Sequence, residues 1–128
     1  MLILVVIVSG FTSAGVYFSA ASEEISSQII LDAEQTVISQ KIQYPTGSPQ
    51  VTSKIVTIPV GVETGPHIHE YPMFAYVMEG EVTVNYGDKG IKTFMKGDSL
   101  MEAINYTHNG KNNGDTPTQI LIVLIGES

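Results

Sequence analysis

Phe74-Ala75-Tyr76-Val77-Met78-Glu79-Gly80-Glu81-Val82-Thr83-Val84-Asn85-Tyr86-Gly87-Asp88-Lys89-Gly90 contains two β-type runs and two glycine-bearing breaks. β-branched and aromatic side chains fill the runs, while Glu79-Gly80 and Gly87-Asp88-Lys89-Gly90 have the composition of turns. The pattern continues in both directions. Downstream, Ile91–Met95 reads as a strand, Lys96-Gly97-Asp98 as a break, Leu100–Ile104 as a strand and Gln119–Ile125 as an apolar terminal strand. Upstream, Val51–Val60 is a β-branched run, Gly61–Pro66 is a loop, and Pro45-Thr46-Gly47-Ser48-Pro49 is a turn by composition. Thr36–Ile38 and Ile42–Tyr44 read as two further short strands flanking Gln40-Lys41. No 3.6-residue apolar stripe competes after residue 35. Short strands separated by glycine-bearing turns define an all-β sandwich or barrel.

The chain has 128 residues, enough for one domain. Six lysines, no arginine and thirteen acidic residues give a formal charge of −7. Nucleic-acid binding is thereby excluded, because phosphate contacts need a concentrated basic surface. The same deficit argues against polybasic attachment to an anionic membrane. With no cysteine, disulfides, thiolate metal ligands and cysteine nucleophiles are absent. There is no G-x-S-x-G elbow and no G-x-x-x-x-G-K loop, so serine hydrolase and phosphate-loop readings fail.

Residues 1–21 carry no charged side chain, begin with a Leu2–Val8 apolar run and end in Ser19-Ala20-Ala21. This suits a signal peptide, which implies an exported, periplasmic or secreted protein. An uncleaved leader would instead be a membrane anchor, and a buried N-terminal strand is the third possibility. The resulting layout is a leader over 1–21, an N-terminal segment over 22–35 and one domain over 36–128.

The three histidines are His67, His69 and His108. In an extended chain, residues i and i+2 face the same side, so His67-Ile68-His69 aims two imidazoles at one point. Two neutral nitrogens form half of a transition-metal site, and His108 is the one remaining nitrogen candidate. Met73, Met78, Met95 and Met101 follow no single period and read as core or gap-filling residues rather than a soft-metal box.

Gly61, five residues, His67-x-His69 and ten further residues to Gly80 reproduce the first motif of the cupin family. Tyr76-Val77-Met78-Glu79-Gly80-Glu81 resembles the Y-V-L-E-G-E run that ends it. Gly97-Asp98, His108 and Asn112 fall in register with the second motif, G-x5-P-x-G-x2-H-x3-N. The resemblance implies a double-stranded β-helix, the cupin or jelly-roll barrel, with all three histidines at metal-ligand positions. Two departures stand out. Met73 occupies the place of the family's glutamate ligand, and Ala103 and Asn105 replace the proline and glycine, which implies a differently shaped turn before His108.

Three neutral donors leave a divalent ion with its full charge and open positions. The resemblance then implies one transition metal per chain, Fe(II) first, with Mn, Ni, Cu and Zn as other fits. Met73 is a potential thioether ligand or a wall residue. Glu102 sits in an otherwise apolar run. It either faces solvent or turns inward beside His108 as a ligand, a partner for a ring N–H or an acid/base group. Phe74, Tyr76 and Tyr106 are candidates to line a pocket, with ordinary barrel filling as the alternative. The implied function is a metal-dependent enzyme on a small organic molecule, of dioxygenase or isomerase type. The alternatives are a non-catalytic metal- or ligand-binding module and a domain whose metal only staples the barrel. Small cupins pair through an edge strand, so a homodimer is a further expectation.

Overall fold

The computed structural model describes residues 24–128, so the leader assigned to residues 1–21 lies outside the described residues. Among the described residues seven strands form: β1 Pro49–Ile58, β2 Met73–Glu79, β3 Glu81–Asn85, β4 Ile91–Met95, β5 Ser99–Met101, β6 Asn109–Lys111 and β7 Thr118–Glu127. A single 3-10 turn, Gly87–Lys89, joins β3 to β4. Four strands make one sheet in the order β1-β7-β2-β5, and three make the other in the order β4-β3-β6, with antiparallel pairing throughout. This is the expected all-β jelly roll. The chain passes between the sheets at Gly80, at Lys96–Asp98, at residues 102–108 and at residues 112–117.

The alternation of the strands decides what the sheets enclose. Along β2, Met73, Ala75 and Val77 are buried while Phe74, Tyr76 and Met78 are half-buried on the opposite face. Val82 and Val84 of β3 point the same way as Tyr86, which is fully buried. These residues, with Ile58, Leu100, Ala103 and Ile122, form the core between the sheets.

Two local expectations are corrected, and one strand is additional to those expected. Thr36–Ile38 and Ile42–Tyr44 are not strands; only an isolated Gln35–Lys41 bridge joins the two segments. The hydrogen bonds of this stretch are spent locally. Thr36 N–H donates to the Gln40 carbonyl at 2.8 Å, Gln40 N–H donates to Thr36 Oγ1 at 3.1 Å, and Ser39 sits at φ 67°. Leu100–Ile104 contributes only Ser99–Met101 to the sheet, because Gln40 caps its continuation. The Gln40 amide donates to the Ile104 carbonyl at 2.7 Å and accepts from the Ile104 N–H at 2.9 Å. Asn109–Lys111 forms a strand although Asn-Gly-Lys has no β-propensity. Pairing with β3 and with the Gly61–Thr64 segment overrides composition there.

Candidate metal centre

The three imidazoles meet at one end of the space between the sheets. His67-Ile68-His69 is not a regular strand, contrary to the sequence expectation, yet its backbone is tied down from both sides. Thr64 N–H donates to the Gly110 carbonyl at 2.8 Å. His67 and His108 then exchange two N–H···O bonds, each 3.0 Å, in an isolated antiparallel bridge. The His69 carbonyl accepts from Asn105 N–H at 2.7 Å. Asn105 holds φ 50°, a left-handed conformation that asparagine tolerates, so the turn before His108 keeps a left-handed residue where the motif has glycine.

Ring centroids are 4.9 Å apart for His67–His69, 4.5 Å for His67–His108 and 5.1 Å for His69–His108. One nitrogen from each ring lies within 4.8 Å of the other two. Backbone carbonyls select the tautomers. His67 Nδ1 lies 2.8 Å from the Gly65 carbonyl and His108 Nδ1 lies 2.8 Å from the Tyr106 carbonyl. A carbonyl accepts only, so each Nδ1 carries a proton, and Nε2 is the nitrogen that the neutral ring offers as a donor to a cation. Burial, then the neighbouring His108 and His67 and the Lys54 ammonium, push the His69 pKa down to about 4. His69 is therefore uncharged at neutral pH.

His108 is 3% exposed, and its Nε2 is buried with no hydrogen-bond partner. A buried nitrogen lone pair without a donor requires an explanation. A cation shared with His67 and His69 would supply one, and the donor set fits a divalent transition ion.

Glu102 faces inward and is 6% exposed. Its Oε1 accepts from Tyr86 OH at 2.8 Å and from Ala103 N–H at 2.7 Å, and its Oε2 lies 3.8 Å from His108 Nε2. Burial, and then the adjacent Glu102 carboxylate, raise the Tyr86 phenol pKa, which keeps it a hydrogen-bond donor. Met73 lies across from Glu102, whose N–H donates to the Met73 carbonyl at 2.8 Å, and both side chains line the cavity.

The expected pocket aromatics are elsewhere. Phe74 and Tyr76 point to the outer face of β2 because alternation assigns the inner face to Met73, Ala75 and Val77. Tyr106 reaches outward to donate to Asp88, and its carbonyl, not its ring, serves the site by holding His108. The cavity, about 280 Å³, is walled instead by aliphatic side chains and Phe94 of both sheets. Sequence reasoning missed Tyr86 and Lys54. Both were available from two-residue alternation, Tyr86 after Val82 and Val84, and Lys54 before Val56 and Ile58.

The cupin domain family matches residues 54–124, more than half of the chain. A cupin domain from Bordetella pertussis superposes with a TM-score of 0.50 at 23% identity, covering 66% of this chain and 97% of that one. A Bacillus halodurans protein superposes with a TM-score of 0.54 at 19% identity over 61% of this chain, which spans 64% of that protein. The oxalate decarboxylase of Lactobacillus farciminis, in its formate complex, superposes with a TM-score of 0.53 at 25% identity. That likeness covers 61% of this chain and 25% of the decarboxylase. No curated protein matches the chain. The family match and the jelly-roll sheets agree with the histidine spacing, and the chain belongs to the cupin family.

Proposed function

We propose that this cupin is a metal-dependent enzyme acting on a small organic molecule, of dioxygenase or isomerase type. One divalent transition ion would be held by the imidazoles of His67, His69 and His108, with Fe(II) first and Mn, Ni, Cu or Zn as other fits. The observation that carries this reading is the buried, partnerless His108 Nε2 beside two further imidazoles. When bound, such an ion supplies Lewis-acid or redox chemistry at its open positions.

The chain's own residues set the rest. The carbonyls of Gly65 and Tyr106 orient two rings and keep Nε2 free. Glu102 places a carboxyl oxygen beside the histidines, within reach of a ligand or of a ring nitrogen. Tyr86 and the Ala103 N–H fix that carboxylate through its other oxygen. The aliphatic walls exclude water and select an apolar ligand body. Met73 belongs to the wall. Likeness to a decarboxylase supports an enzymatic use of this fold, although cupin architecture by itself does not choose a reaction. The uncharged leader supports export from the cytoplasm as part of the same proposal.

Elemental analysis of protein purified without a histidine tag tests the centre. Near-stoichiometric transition metal is expected in the wild type and is lost in His108→Ala; a metal-free wild type refutes the site. Oxygen uptake with a panel of diketones, thiols and catechol-like compounds tests the chemistry. A loaded protein that binds members of this panel but turns none over is a binding module instead.

A further inference from the structure

The inner face of the larger sheet carries one charge where its neighbours are apolar. Lys54 on β1 pairs with Ile122 on β7, Ile122 with Ala75 on β2, and Ala75 with Leu100 on β5. Side chains directly across a sheet share a face, so this rung reads Lys54–Ile122–Ala75–Leu100, and all four line the cavity. Among the described residues Lys54 forms no ion pair, whereas Lys89, Lys96 and Lys111 are paired with Asp88, Glu79 and Glu63. No other lysine lines the cavity, and the chain has no arginine.

We propose that Lys54 is the anion-recognising residue of this cavity and that the ligand is a small monocarboxylate with an apolar body. A lysine ammonium binds an anionic oxygen as a compact point charge, without the planar match an arginine demands. Aliphatic residues of both sheets, among them Val56, Val82, Ile120 and Ile122, receive the body. The cavity of about 280 Å³ suits a ligand with a short chain or one small ring. A second carboxylate is disfavoured because Glu102 already places a buried acidic group beside His108 and no second basic side chain lines the cavity. The inference rests on the proposed metal centre only for which end of the ligand faces the histidines. An inward charge on an edge strand also guards against edge-to-edge association, and that role predicts a different result.

The test uses hexanoate and its neutral analogue hexanamide, titrated calorimetrically at low salt into the purified protein, both metal-free and loaded with zinc. Wild type is expected to bind hexanoate in preference to hexanamide. Lys54→Met is expected to weaken hexanoate by about tenfold or more, the loss of one charge-assisted contact. Hexanamide binding should not change, and Lys54→Arg should recover most of the affinity. The proposal is overturned if wild type ignores hexanoate, or if Lys54→Met binds it undiminished. A Lys54→Met protein that only self-associates more, with unchanged hexanoate affinity, assigns Lys54 to edge protection and equally overturns it. Failure of wild type to take up zinc refutes the three-histidine centre alone, because the metal-free titration still reads Lys54.

Discussion

Tyr86 holds the carboxylate that faces the histidines. Its ring is fully buried, and its hydroxyl donates to Glu102 Oε1 at 2.8 Å. Tyr86→Phe keeps the packing and removes the donor. Hydrogen bonds to charged groups contribute about 1.5–3 kcal/mol, so a stability loss in that range is expected from denaturant melts. The variant should also bind zinc with altered affinity, because Glu102 loses the contact that orients it. Unchanged stability and affinity would show that Ala103 N–H alone suffices. The histidines were legible at this scale because spacing in the sequence fixes which side chains converge. Glu102 was ambiguous because an acidic residue in an apolar run satisfies two opposite placements equally well. Its partner Tyr86 decides between them, and that contact joins residues sixteen apart.

Strands and turns divide into those dictated locally and those dictated by neighbours. The β2–β3 turn is local. Gly80 has φ 72°, and a Cβ there would lie 2.9 Å from the Pro117 carbonyl. Gly80→Ala combines left-handed strain of about 1–2 kcal/mol with that collision, so a loss of about 2 kcal/mol or more should appear as a lowered Tm. The segment after His108 is held by Asn112, which is fully buried. Its amide donates to the carbonyls of Ile58 and Thr116 and its oxygen accepts from Gly114 N–H. Asn112→Ala strands these partners and is expected to cost about 3 kcal/mol, by the desolvation penalty of unpaired buried groups. Ile91–Met95 could be read directly, since β-branched composition and flanking turns agree. β6 could not, because Asn-Gly-Lys becomes a strand only when β3 lies alongside. The region 36–44 misled for the converse reason: its β-branched residues suit a strand, but Thr36 and Gln40 supply a competing set of local hydrogen bonds.

For the molecule as a whole, the centre links ligand binding to folding. An ion that binds only the native state adds about 2.7 kcal/mol at a free concentration of a hundred times its Kd. Chelation should therefore lower Tm by roughly 10 °C or more for a domain of this size, read by calorimetry with and without chelator. Metal-free protein should also respond to pH through His69. Burial holds its folded pKa at about 4, below the ordinary 6.5, so the unfolded chain binds more protons between those values. The contribution of His69 to stability is complete above about pH 6.5 and is lost as pH falls toward 4. Tm of the metal-free wild type should fall across that interval, and the fall should be shallower in His69→Asn.

The reciprocal bridge between His67 and His108 is made entirely of main-chain atoms. Exchanging neighbouring side chains such as Met73, Glu102 or Lys54 leaves the spacing of those two imidazoles in place. Donor geometry and ligand preference are thereby uncoupled, so mutation can retune reactivity one position at a time while the scaffold that presents the donors is inherited intact.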